Sequence, residues 1–174
     1  SEDYNEILAT DFSPLFNRAL LGLYPPGSTF KMATTIAAID SGLITSATPI
    51  YDKGVFNEYE GFEVKCLYYT NTGGTHGSIN AAQALKFSCN YFYYYLGNKL
   101  GLSSLDNVSK GLGLGEPTGV ELPEYIGHRA NAETKAELYT GDNANWYRGD
   151  QILSAIGQSD NLFSPMQLCV YTST

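Results

Sequence analysis

Ser28 and Lys31 stand three positions apart in "YPPGSTFKMATTIAAIDSG" (residues 24–42), and on a helix that spacing puts two side chains on one face. A serine hydroxyl is a poor nucleophile at neutral pH and needs a base within hydrogen-bond reach. A lysine serves as that base only if its amine loses its proton. Burial disfavours the ammonium, and so does the positive end of a helix dipole. The Ser28 backbone N–H, in the first turn of such a helix, can face a developing oxyanion. Four residues thus offer a nucleophile, a base and one oxyanion donor. The same four residues also fit a plain N-cap serine followed by a surface lysine. A second set lies in "FSCNYF", where Ser88-Cys89-Asn90 falls at a break between two expected helices. A second hydroxyl there can pass a proton to a leaving amine, and the Asn90 carboxamide can bond both the lysine and an amide substrate.

The elements that must position these groups read mainly as helices. Residues 28–41 form a helix with Phe30, Ala33, Ala37 and Asp40 on one side, while Met32, Ile36 and Ile39 widen the apolar face. It is therefore expected to be buried nearly all round, with Gly42 as its C′ residue and Leu43 packing just beyond. Residues 1–23 read as a short helical or extended lead-in stopping at Pro25-Pro26. "IYDKGVF" and "FEVKCLYY" predict one small antiparallel ribbon between Pro49 and Leu67. "TNTGGTHGS" reads as a loop. Ser78 is expected to cap a helix through "INAAQALKF", a second helix follows over "NYFYYYLGNKLG", and Ser103 is expected to cap a third. Residues 115–147 read as loop with one helical turn near Glu133, and "RGDQILSAIGQSDN" as short and ambiguous. "SPMQLCVYTST" opens as a helix with Ser164 at the cap and Pro165 first; it carries no stop signal, so the chain reads as a fragment.

At 174 residues and 43% hydrophobic, the chain suits one domain or a large piece of one. Its net charge of −8, from 10 basic and 18 acidic residues, argues against nucleic acid or an anionic membrane surface as the main partner. No apolar run reaches membrane-spanning length and "SEDYNEIL" is no signal peptide, so any anchor is expected outside this chain. Cys66, Cys89 and Cys169 are odd in number and widely spaced, which reads as half-buried free thiols with one disulfide possible. His76 and His128 show no metal-ligand spacing to each other or to the cysteines. His76 reads as a loop hydrogen-bonding residue, Trp146 and the aromatic run Tyr91–Tyr95 as packing, and Glu116, Glu121 and Glu124 as a solvated face.

The motifs together resemble the transpeptidase domain of penicillin-binding proteins, the serine acyltransferases that cross-link bacterial cell wall. "NRALLGLYPPGSTFK" resembles the first motif with its lead-in and "SCN" the second. "GGTHGSINAAQALKFSCNYFYYYLGNKLGL", "GLGLGEPTGVELPE" and "AIGQSDNLFSPMQL" resemble further segments in the family's order, so the likeness runs from Asn17 to Leu168. The resemblance implies Ser28 as the acylated nucleophile, Lys31 as the base for acylation, Ser88 as proton relay, and Asn90 as the lysine and substrate contact. It implies acyl transfer from the penultimate D-alanine of a stem peptide to an amine of a neighbouring stem, with acylation by β-lactams, no metal or organic cofactor, and a setting on the outer face of the cytoplasmic membrane. The pattern departs at Ser159, where the family usually has glycine. None of the seven lysines is followed by Thr-Gly or Ser-Gly, so the third motif is missing.

The implied fold is α+β for the parent domain. This chain, residues 1–174, is then its mostly helical part with a small β ribbon, lacking the upstream strands, the Lys-Thr-Gly strand and most of the central antiparallel sheet. Such a piece is expected to acylate slowly or not at all, and to expose apolar surface that invites dimerisation. Three alternatives stand beside this reading: a serine β-lactamase or D,D-carboxypeptidase, a β-lactam sensor, and a helical interaction domain carrying a chance motif.

Overall fold

A computed structural model of the chain describes residues 2–8 and 13–174. In order, these form α1 (Glu2–Leu8), α2 (Arg18–Leu21), a 3₁₀ turn (Gly27–Phe30) running into α3 (Lys31–Asp40), β1 (Ile50–Asp52), β2 (Val55–Tyr59), β3 (Phe62–Lys65), α4 (Leu67–Thr72), β4 (Gly77–Ile79), α5 (Ala81–Phe87), α6 (Asn90–Lys99), α7 (Leu102–Gly111), α8 (Ala132–Leu138), a second 3₁₀ turn (Gly141–Ala144), α9 (Arg148–Ser154) and α10 (Pro165–Ser173). The expected lead-in over residues 1–23 falls partly on residues 1 and 9–12, outside the described residues. The architecture is α+β and mostly helical. The expected single ribbon is instead two antiparallel pairs: β2 with β3, and β1 with β4 in the register Ile50–Ile79. The second pair forms because "GSI", read as the end of a loop, returns to β1.

Local chemistry explains the other departures. "LYYTNT", expected as the end of a β-rich segment running into a loop, is α4. Ser78 lies in β4, and α5 starts instead on a capping box in which Asn80 accepts from Gln83 N at 3.0 Å and Gln83 Oε1 accepts from Asn80 N at 3.0 Å; the amide reaches the third residue where the upstream serine cannot. α7 is entered through Gly101, two residues before the expected cap Ser103. Residues 132–138 make two turns of helix, α8, capped by Asn131. Ser164 and Pro165 open α10 as expected.

α3 packs against α6 and α7, α6 against α9, and α10 against α2. One core gathers Phe56, Ile79, Phe92, Tyr93, Leu96 and Ile152 around α6; another gathers Phe30, Ala33, Ala37, Leu105, Phe163 and Tyr171 around α3. α3 is not buried all round: Met32, Ile36 and Ile39 are 39%, 44% and 42% exposed, because among the described residues nothing packs on that side. The entry to α3 is held from the other end of the chain. Gly27 N donates to Gly157 O (3.0 Å), Phe30 stacks on Phe163, and the Tyr171 hydroxyl accepts from Ala33 N and donates to Thr29 O, each at 3.0 Å.

Candidate active site

The four residues singled out in the sequence meet at one place. Lys31, first residue of α3 and 1% exposed, donates from Nζ to Ser88 O (2.9 Å), Ser88 Oγ (2.9 Å) and Asn90 Oδ1 (2.6 Å). Ser88 Oγ donates in turn to Ser28 Oγ at 3.0 Å, across 60 residues of sequence. Ser28 lies on the 3₁₀ turn rather than on the α-helix proper, and both serines face solvent. Ser88 closes α5 in the left-handed region, φ +52°, which aims its carbonyl and hydroxyl oxygens together at one amine. A non-glycine residue there stores local strain, and Asn90 begins α6 two residues on, after Cys89. Burial lowers the Lys31 amine from an ordinary 10.5 to about 8, and the Tyr93 ring lies 5.4 Å from Nζ.

Ser28, Ser88 and Asn90 line a cleft of about 520 Å³ together with Leu67 and Tyr68 of α4, Phe87, and Gln158 from the α9–α10 loop. A cavity of about 470 Å³ elsewhere is lined by Lys135, Tyr139, Asp150, Ser159 and Asp160; it holds no nucleophile–base pair of this kind. Ser159 adopts φ +59°, a conformation glycine takes without strain. Of the acidic residues expected to be solvated, Glu116 pairs with Arg129 at 3.1 Å and Glu124 accepts from Thr118.

Beneath the Ser88–Asn90 turn lies a cluster the sequence did not disclose. Ligand atoms of Asp52, Cys66, His76 and Cys89 all lie within 4.8 Å of one another. His76 Nδ1 is 2.7 Å from Asp52 Oδ2, Cys66 Sγ is 3.9 Å from both His76 Nδ1 and Cys89 Sγ, and Cys89 Sγ is 3.5 Å from Asp52 Oδ2. Cys66 and Cys89 are fully buried, not half-buried, and Cys169 is exposed; all three are free thiols. The sequence spacing, which shows no metal-ligand pattern, did not anticipate that the fold gathers His76, Cys66 and Cys89 with Asp52; His128 and Cys169 are not part of the group. His76 sits 10 residues from Cys66 and 24 from Asp52, and the β1–β4 pairing brings them together. Four donors on a tetrahedron of about 2.0–2.3 Å radius stand about 3.3–3.8 Å apart; the separations involving sulfur, 3.5 and 3.9 Å, are close to this, the His76–Asp52 hydrogen bond at 2.7 Å is shorter, and two sulfurs, an imidazole and a carboxylate are a donor set that zinc accepts. The hydrogen bond between the sulfurs lowers the Cys66 thiol to about 5 and raises that of Cys89.

Comparison with known proteins agrees with this geometry. The sequence matches the family described as penicillin binding protein transpeptidase domain over residues 1–174. It is 34% identical over 173 residues to the peptidoglycan D,D-transpeptidase MrdA of Acinetobacter baumannii, a match covering 99% of this chain and 25% of that protein. The structure superposes on the penicillin-binding protein PBP2 of Helicobacter pylori with a TM-score of 0.87 at 29% identity, covering 99% of this chain and 31% of that one. It superposes on PBP2 in its complex with MreC from the same organism at 0.85 and 28%, covering 97% and 30%. The chain spans about a quarter of the length of the curated relative. A serine and a buried lysine joined through Ser88 and Asn90, in this fold and with a family match over every residue, leave one assignment: the chain belongs to the penicillin-binding protein transpeptidase family.

Proposed function

We propose that this chain carries the nucleophile half of a peptidoglycan D,D-transpeptidase site and is a partial transpeptidase domain. The observation that supports it is the continuous hydrogen-bonded path Ser28–Ser88–Lys31, fixed by Asn90. With Lys31 charged, donation runs outward from Nζ through Ser88 to Ser28. With Lys31 neutral, the directions reverse: Ser28 donates to Ser88 and Ser88 to the amine, leaving electron density on Ser28 Oγ. In this reading Ser28 attacks the penultimate D-alanine carbonyl of a stem peptide and Lys31 takes the proton. The tetrahedral intermediate collapses as Ser88 delivers a proton to the departing terminal D-alanine. An amine of a neighbouring stem then attacks the acyl-serine and releases it. A β-lactam enters the first half of this sequence and stops there.

The residues lining the cleft include no carboxylate, which favours transfer to an amine over hydrolysis by an activated water. No helix among the described residues is long and apolar enough to cross a membrane. In this reading the anchor and any partner of the MreC kind engage other parts of the whole protein, on the outer face of the cytoplasmic membrane. The strand bearing a Lys-Thr-Gly motif would complete the cleft, so the isolated chain acylates slowly and pairs weakly with a second copy through its open apolar side.

A fluorescent penicillin tests the assignment. The whole protein should be labelled at Ser28 and lose the label on Ser28→Ala; a label that survives this change overturns the nucleophile assignment. Rapid stoichiometric labelling of the 174-residue chain alone would overturn the half-site reading.

A further inference from the structure

We propose that the groove between the end of α8 and the α9–α10 loop is a subsite for the glycan of the substrate, taking two linked, uncharged N-acetylhexosamine rings. This rests on the reading of the chain as part of a peptidoglycan transpeptidase site. The groove has two lobes, of about 470 and 270 Å³, and Tyr139, Ser159 and Asp160 line both. Asn143 and Tyr147 belong to the larger lobe, Leu138 and Leu162 to the smaller. Charge narrows the ligand first. Lys135 Nζ donates to Asp150 Oδ2 at 2.5 Å and lies 5.5 Å from the Tyr147 ring. The one cation in the groove is thus compensated within the chain, while Asp160 adds a negative charge that repels phosphates and carboxylates.

Hydrogen-bonding capacity narrows it further. The Tyr139 hydroxyl donates to Asp160 Oδ1 at 3.0 Å, and His128 Nδ1 donates to Asp160 O at 2.6 Å, so this carboxylate is held in place with Oδ2 still an acceptor. Among the described residues, neither Ser159 Oγ nor the Asn143 carboxamide is hydrogen-bonded to another side chain. A carboxylate oxygen, a hydroxyl and an amide together match the closely spaced hydroxyl and acetamido groups of an amino sugar. Tyr139 and Tyr147 are 44% and 54% exposed. The negative face of such a ring receives the C–H face of a pyranose, and Leu138 and Leu162 offer apolar contact to an acetyl methyl. Ser159 keeps φ +59°, where glycine would be unstrained, and so puts a hydroxyl into the groove. Gln158 lines the cleft of Ser28 and Ser88, and its neighbour Ser159 lines the groove. Adjacent residues stand about 3.8 Å apart, so a sugar held here keeps the peptide it carries close to Ser28 and raises its local concentration.

The test titrates the ¹⁵N-labelled 174-residue chain with chitotetraose, the β-1,4-linked tetramer of N-acetylglucosamine, and separately with a sugar-free stem pentapeptide. Chitotetraose should give saturable amide shifts at Tyr139, Asn143 and Asp160, with a dissociation constant of about 1 mM, and the pentapeptide should leave these three amides unmoved. Ser159→Gly relieves the strained backbone, so it should fold, yet weaken chitotetraose binding about fivefold; Asp160→Asn should weaken it about tenfold. No saturable shift up to about 20 mM, the same shifts with the pentapeptide, or an affinity unchanged by either substitution would overturn the proposal. Labelling of the whole protein at Ser28 by a fluorescent penicillin reads the transpeptidase assignment separately. A protein that takes the label but binds no chitotetraose overturns the glycan subsite alone. One that binds chitotetraose but takes no label overturns the catalytic reading and supports the subsite.

Discussion

Lys31 is a buried amine surrounded by oxygen dipoles rather than by a counter-ion: among the described residues it is held by Ser88 and Asn90 and has no carboxylate partner. That balance is what lowers it to about 8, because three neutral acceptors compensate only part of the lost hydration. Acylation of the whole protein by a β-lactam should therefore rise about tenfold per unit of pH below 8 and level off above it. A flat profile from pH 6 to 9 would contradict Lys31 as the base, and Lys31→Ala should slow acylation by about 10²–10⁴-fold. The stability sign follows from linkage. Between about 8 and 10.5 the folded chain binds fewer protons at Lys31 than the unfolded chain does, so this residue's contribution to unfolding free energy rises with pH across that window. Denaturant titrations at intervals from pH 7.5 to 10 should show the rise in the native sequence and its loss in Lys31→Met. The closeness of Ser28 and Lys31 was legible from their spacing, but the structure puts Ser28 on a 3₁₀ turn and joins the two through Ser88 rather than directly. Ser88 and Asn90 were legible as polar groups at a break between two helices, but their place beside residue 28 came only with the family resemblance, since no local periodicity sets it. The Asp52–Cys66–His76–Cys89 cluster was not legible at all: its members are joined by strand pairing across 10 to 37 residues, with no short motif to announce it.

At the scale of elements, the α9–α10 loop decides where Ser28 points. Gly157 adopts φ +73°, and a Cβ there would stand 2.2 Å from Gly27 O and 2.7 Å from Phe30 Cβ. Gly157→Ala should therefore cost about 2–4 kcal/mol, by adding a backbone collision to an unfavourable conformation. It should also slow acylation of the whole protein more than it changes the melting temperature would suggest, because the displaced group is the turn carrying Ser28. Equal acylation rates would show that the loop does not position the nucleophile. The donor cluster makes a separate element-scale prediction. It ties β1, the start of α4 and the Ser88–Asn90 turn together, so zinc at 100 times its dissociation constant should stabilise the chain by about 2.7 kcal/mol. Thermal melts with and without zinc should show a rise that His76→Ala abolishes. Helix content was legible wherever apolar spacing ran for ten residues, as in α3 and α6. Helix starts were less so: Ser164 was correctly placed because Pro165 follows it, whereas Asn80 outcompeted Ser78 through Gln83.

For the whole molecule the open face of α3 matters most. Met32, Ile36 and Ile39 were expected in the core, and their periodicity does mark a face meant for burial, but within the described residues that side meets solvent. The chain spans about a quarter of the curated relative's length, and a partner surface from the rest of such a protein is absent from any experiment on this chain alone. The energetics then set how strongly a second copy can substitute. Each of the three side chains is roughly half exposed, so covering it yields about 1 kcal/mol, and two facing stripes yield about 6 kcal/mol in all. Association costs an estimated 4–15 kcal/mol, so at most about 2 kcal/mol remains and the dissociation constant should lie at about 30 mM or above. Sedimentation velocity should therefore find the chain monomeric from about 10 µM to about 1 mM. The double variant Ile36→Lys, Ile39→Lys places two like charges on each stripe and should sediment as the same monomer without unfolding, since both side chains already face water. A native chain that dimerises within this range while the variant stays monomeric would overturn the estimate and show that the open side binds its copy more strongly than the area of this stripe allows.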